Sequence, residues 1–213
     1  MRQAVRDLVQ APASPWLGGL RLLLFGAGLC GGALLYWRAA PEPLGLLALL
    51  LAGVSYALLL ITTHDAVHGT LLGRPRLEFA LACLISWPMA WPFATYAALH
   101  RLHHHWNGRD PRDPERVDPL GSERQRAGAL RRWHQHHPFW GRALLLGGLG
   151  LIADTAWKGW QLRRADRRLP ARLRLDLAGV LAVHGTMLAI ALAAGVLWRY
   201  LLFWLVLERT IGA

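Results

Sequence analysis

Apolar residues in this chain come in long runs rather than in stripes, and the runs set the first expectation of its architecture. Trp16 to Trp37 spans about 31 Å as a helix, enough to cross the hydrocarbon core of a bilayer. A tryptophan at each end suits the interfacial belt. Gly28-x-x-x-Gly32 within the run offers a small-residue face to a neighbouring helix. Pro41 and Pro43 mark a turn, Leu44 to Thr63 forms a second run, and Leu175 to Leu197 is another long enough to cross. Two runs differ from these. Leu81 to Ala98 holds Pro88 and Pro92, which break regular helix hydrogen bonding. Ala143 to Trp157 is short, contains Asp154 and has basic sequence on both sides. Both are expected to be interfacial or re-entrant rather than spanning. Trp198, Arg199 and Tyr200 read as an interfacial turn before a last apolar segment that stops at Ala213. The predicted fold class is an all-α integral membrane protein, a four-span helical bundle in one domain over 1–213. Its spans are expected at about 16–37, 44–63, 175–197 and 200–213, the last incomplete. A cytoplasmic histidine-rich cap with interfacial helices is expected over 64–174.

Charge fixes the expected sidedness. The chain carries 24 Lys+Arg against 13 Asp+Glu, a net charge of +11, in a sequence that is 54% hydrophobic. That apolar content excludes a disordered chain. Sixteen of the basic residues fall between Ala98 and Arg174, and Arg2 and Arg6 precede the first run. The loop between the first two runs carries only Arg38 and Glu42. By the positive-inside rule the N-terminus and the 64–174 region belong on the cytoplasmic side. The basic excess is then a face held against anionic lipid, and no nucleic-acid partner is expected. Cys30 and Cys83 each lie inside an apolar run, read as small buried hydrophobes and not as a disulfide framework.

The ten histidines are clustered. His64 and His68 form H-D-A-V-H at the end of the second run, and His100, His103 and His104 form H-x-x-H-H after the third. On a helix, residues i and i+4 lie about 40° apart and i+3 about 60° to the other side, so each set shares a face. His105 falls about 140° from His100 and should point away. Five imidazoles on two short faces can converge on metal, and neutral imidazole suits Fe, Zn, Cu or Ni, so spacing alone does not name the ion. Ligands from opposite sides of a bilayer cannot share one centre. A shared metal therefore requires that 81–98 return to its starting side, the conclusion Pro88 and Pro92 reach independently. His134, His136 and His137, among arginines, read as a solvated basic face. His184, inside an apolar run, reads as a hydrogen-bonded bundle histidine, with an ionisable residue at that depth worth testing.

H-D-A-V-H-G-T at 64–70, W-P-F-A-T-Y-A-A-L-H-R-L-H-H-H-W-N at 91–107 and D-P-R-D-P-E-R-V at 110–117 resemble the membrane fatty acid desaturase family, in particular its bacterial acyl-lipid and acyl-chain members. The resemblance implies a four-span bundle with a cytoplasmic cap and two non-haem irons, with His64, His68, His100, His103 and His104 as metal ligands. It implies O₂-dependent desaturation, in which two hydrogens leave adjacent methylenes of a membrane lipid or acyl chain while an electron donor such as a ferredoxin or a b-type cytochrome supplies electrons. The family's third histidine box does not appear before Ala213, so a truncated chain is the expectation. Asp65 is read either as orienting a ligating histidine or as a helix-surface or capping residue. Asp110, Asp113 and Glu115 are read mainly as a turn with Pro111 and Pro114 that pairs with nearby arginines, and as the lesser reading in a role near the site. The basic 158–174 stretch suits anionic lipid first and an acidic electron donor second. Alternatives are a carotenoid or sterol hydroxylase or ketolase of the same superfamily, and an inactive truncated membrane protein. A transporter is disfavoured, because the histidines cluster at one boundary.

Overall fold

Proline sits at or near the start of four of the helices, where its missing N–H costs nothing and its fixed φ suits helical entry. A computed structural model describes residues 14–39, 42–115 and 147–212. In chain order the helices are α1 (Pro15–Ala39), α2 (Pro43–His68), α3 (Pro75–Ser86), α4 (Phe93–Trp106), α5 (Gly147–Gln161), α6 (Leu169–Ala193) and α7 (Leu197–Gly212), with a 3₁₀ turn at Trp87–Met89 between α3 and α4. The described residues contain no strand. α1, α2 and α6 are each long and apolar enough to cross a membrane. The broken pair α3–α4, bent by 117°, is a fourth such candidate if it counts as one span.

α1 and α2 pack as a hairpin through the expected small-residue face. A Cβ at Gly32 would lie 2.7 Å from the Ala48 carbonyl oxygen and 2.9 Å from the Ala52 nitrogen, and one at Gly28 would strike the Ser55 hydroxyl. Tyr36, Leu49, Tyr56, Phe203 and Leu207 build a core shared by α1, α2 and α7. The Tyr36 hydroxyl donates to the Arg199 carbonyl at 3.0 Å, tying α1 to α7. The rest of α1 is largely exposed, as lipid-facing surface is expected to be.

The third run breaks where its prolines stand. The chain leaves α3, turns through Trp87–Met89 and Ala90, whose φ is 54°, and re-enters as α4. Starting a helix inside the protein leaves its first N–H groups without partners. Asp176 of α6 answers them: its carboxylate accepts from Ala94 N at 3.1 Å, Thr95 N at 2.8 Å, Thr95 Oγ1 at 2.7 Å and Trp87 Nε1 at 3.1 Å. Gly179, one turn along α6, allows the Trp87 ring to lie against the backbone, where a Cβ would collide with it. Glu78 plays a similar part at the start of α3. Fully buried, it accepts from the backbone N–H groups of Leu71, Leu72 and Arg74 at 3.2, 2.8 and 2.9 Å, and so holds the turn that leaves α2.

Several sequence expectations need correction. The turn expected at Trp198–Tyr200 lies earlier, at 194–196, because Gly195 takes a φ of 67° and Leu197 already opens α7. α6 begins at Leu169 rather than Leu175, since Arg172 and Arg174 extend from the helix without interrupting it. α2 continues past Thr63 to His68, where Gly69 at φ 70° caps it with N–H contacts to the Ala66 and Asp65 carbonyls. Cys83 is buried, but Cys30 is exposed, because α1 buries only the side that meets its neighbours. α5 covers Gly147–Gln161, so 143–146 of the expected short run fall outside the described residues, as do His134, His136 and His137.

Candidate metal centre

Two helix ends meet at the centre. His64 and His68 occupy the last turns of α2, and His100, His103 and His104 the last turns of α4. One ring nitrogen from each of His64, His68 and His100 lies within 4.8 Å of the others. His68 Nε2 is 3.2 Å from His100 Nε2, and His104 Nε2 is 3.0 Å from the same atom. The His104 ring lies 5.0 Å from that of His68 between centroids. The bend in the third run thus brings the two boxes to one place, as the shared-metal argument requires.

The chain beyond α4 folds back under the histidines. Asn107 at φ 46° and Gly108 at φ 74° end the helix in the left-handed region. Asp110 accepts from the Arg112 backbone at 2.8 Å and pairs with its guanidinium at 2.7 Å. Asp113 is buried and accepts from Gly108 N at 2.6 Å and Glu115 N at 2.9 Å. That turn brings Asp113 Oδ1 to 2.8 Å from His103 Nδ1, and Glu115 Oε1 to 2.7 Å from His100 Nδ1. The expected turn forms, and among the described residues local arginine pairing holds for Asp110 alone. Asp113 and Glu115 face imidazoles, which the sequence treated as the minor possibility, because the doubling-back of 107–115 is invisible in residue spacing.

These carboxylates orient the ligand atoms. With Nδ1–H donating to Glu115, the His100 Nε2 lone pair faces the Nε2 atoms of His68 and His104. With Nδ1–H donating to Asp113, His103 likewise keeps Nε2 available. A cluster of ring nitrogens at such short separations is satisfied by a cation, so the donor set fits a transition metal held by imidazole. Burial pushes the His100 pKa down, against the opposing pull of Glu115, and so favours the neutral ring that a metal needs. Burial alone would raise the Asp113 carboxyl, but its hydrogen bonds from Glu115 N, His103 and Gly108 N carry it below its ordinary value.

Other candidates lie apart from the cluster. Asp65 pairs with Arg21 of α1 at 2.7 Å, which selects the helix-surface role over histidine orientation. His105 is exposed and, among the described residues, has no ring contact with the five box histidines. His184 Nδ1 is 2.9 Å from the Tyr200 hydroxyl and its ring packs on Trp204, in line with a bundle histidine. Sequence reasoning missed Tyr96, whose ring lies 5.5 Å from that of His100 and whose hydroxyl is pushed up to about 12 by burial, keeping it neutral. Its position four residues before His100 was the available signal.

A cavity of about 580 Å³ opens beside the cluster between α2, α4 and α5. His64, Tyr96 and Glu115 border it, Ala57, Leu60, Ile61, Trp91 and Leu151 give it apolar wall, and the Asp154–Lys158 ion pair of α5 and Thr155 add a polar stretch. From His64 to Ala57 it follows α2 for about 10 Å.

Both boxes and the carboxylate turn fall within residues 41–213, the stretch that matches the family model for fatty acid desaturase. The chain belongs to the fatty acid desaturase family. No curated protein and no solved structure matches it significantly. Membership in this family suggests a histidine-box oxidoreductase of the desaturase or hydroxylase type and implies a lipid acyl substrate, and the apolar helices fit a membrane protein. The family is known for using two irons, and among the described residues His64, His68 and His100 form a cluster that could hold metal.

Proposed function

We propose that this desaturase introduces a double bond into a membrane acyl chain in an O₂-dependent reaction at two irons held by His64, His68, His100, His103 and His104. The observation that carries the proposal is the convergence of both histidine boxes on one point, with the Nε2 atoms of His68 and His104 3.2 and 3.0 Å from that of His100. When bound, the irons supply the reduction of O₂ and the oxidising power for C–H cleavage. The protein holds the imidazoles in place, with Glu115 and Asp113 setting the tautomers of His100 and His103. The groove along Ala57, Leu60 and Ile61 takes the hydrocarbon and excludes water from it, so that the methylenes to be oxidised lie beside His64. Tyr96 stays protonated there and closes the wall between groove and histidines.

In this reading α1, α2, α6 and α7 form the bundle of a single domain, and the described residues between α2 and α6 form a cap with interfacial helices on the cytoplasmic side of a bacterial inner membrane. The substrate enters from the bilayer and electrons arrive from water through a ferredoxin or a b-type cytochrome. The test is paired. Iron per chain is measured on purified protein, and unsaturated acyl chains are measured in the lipids of an expressing strain, for wild type and for His100→Ala. About two irons and new unsaturation are expected for wild type, with both lost in the variant. Hydroxylated or ketonised ring lipids in place of new double bonds would transfer the reaction to the hydroxylase branch.

A further inference from the structure

A second cavity lies on the other side of α5. It encloses about 670 Å³ between α5, α6 and the break before α4. Ile152, Ala156, Leu177, Val180 and Pro92 give it apolar walls, and none of the box histidines borders it. Asp176 also borders it, but both carboxylate oxygens are occupied by Trp87, Ala94 and Thr95, so it offers the cavity no free hydrogen-bond acceptor. Such an interior suits hydrocarbon.

The rim is different. Arg163 and Arg174 both border the cavity, and among the described residues neither has a carboxylate within ion-pair distance. The Arg163 guanidinium lies 4.1 Å from the Trp160 ring and donates one N–H to the Trp160 carbonyl at 2.6 Å, which fixes its plane and leaves further donors. Two guanidiniums above an apolar slot match a ligand with a hydrocarbon tail and a phosphate head. The slot follows α6 from Pro170 to Val180, about 15 Å, along a helix apolar enough to cross a membrane. Leu177 is exposed, so one wall opens sideways toward lipid.

We propose that this cavity binds one acyl chain of an anionic phospholipid, with Arg163 and Arg174 holding the phosphate, at a site separate from the histidine-lined groove. The test is native mass spectrometry of the full chain, delipidated in detergent and titrated with dioleoyl phosphatidylglycerol, dioleoyl phosphatidylcholine or oleate. One phosphatidylglycerol per chain is expected to be retained at least about tenfold more tightly than phosphatidylcholine, the advantage of fixed guanidinium–phosphate pairing over a neutralised head. The double change Arg163→Gln, Arg174→Gln should remove that advantage. Ala156→Trp and Leu177→Trp, which fill the slot from opposite walls, should each abolish retention, with an unchanged unfolding temperature in detergent reporting an intact fold. Equal retention of both phospholipids would overturn the proposal. So would wild-type retention in both tryptophan variants that keep their unfolding temperature, or tighter binding of oleate than of phosphatidylglycerol. None of these results bears on iron or product, so the desaturase reading stands or falls separately.

Discussion

The two ends of α4 are both served by carboxylates, and they use them for opposite purposes. At the N-terminal end, Asp176 meets backbone N–H groups and the positive end of the helix dipole. A buried acid there explains itself: it completes a helix that starts within the protein. At the C-terminal end the dipole is negative, and Asp113 and Glu115 gain nothing from the helix itself. Their partners are His103 and His100, at 2.8 and 2.7 Å. Carboxylates placed against the local dipole and bonded to ring nitrogens indicate imidazoles being oriented for use. One end of α4 is therefore built for position and the other for chemistry.

The sharpest way to break the comparison is at the C-terminal end. His100→Ala removes the ring at the centre of the cluster, and metal retention and product should fall by more than about 100-fold, measured by elemental analysis and lipid composition. Asp176→Ala strikes the opposite end. Leaving the N–H groups of Ala94, Thr95 and Trp87 unsatisfied should cost about 3 kcal/mol, read as a lowered unfolding temperature in detergent. Any iron loss should track unfolding rather than precede it. Glu115→Gln should leave the unfolding temperature of the metal-free protein nearly unchanged and weaken metal affinity by about 10- to 100-fold. Asp113→Asn should weaken metal affinity as much and also lower the unfolding temperature, because its amide NH2 replaces an oxygen that accepts from Gly108 N or Glu115 N. If Asp176→Ala weakened metal binding in fully folded protein as strongly as Asp113→Asn, the division of labour would be wrong. At the small end, Asp65→Asn should leave metal retention within about twofold, because its ion pair with Arg21 is partly exposed and contributes at most about 1 kcal/mol. His105→Ala should be equally mild, since the ring faces away from the site.

Legibility in the sequence followed the same division. The helical class, the broken third run and the two histidine faces could be read because they rest on local features: run length, Pro88 and Pro92, and spacing at i, i+3 and i+4. The bend between α3 and α4 followed from combining the prolines with the need for one shared centre. Asp176 and Glu78 could not be read, because each is a lone acid whose purpose appears only once a distant or folded-back backbone reaches it; Asp176 serves residues 81 to 89 positions away. Asp113 and Glu115 were visible as turn residues, yet their direction depends on the left-handed Asn107–Gly108 step. The end of α2 and the start of α6 lie beyond the apolar runs because histidine and arginine, polar in a hydropathy pattern, continue a helix without interrupting it.

A single measurement goes to the centre of the assignment: transition-metal content per chain for wild type, His64→Ala and His104→Ala, each checked for folding and for product. If α2 and α4 supply one shared site, wild type carries about two irons, and a loss on either helix empties the site and stops turnover. Wild-type protein that forms product without bound metal, or folded variants on both helices that keep their full iron, would contradict it.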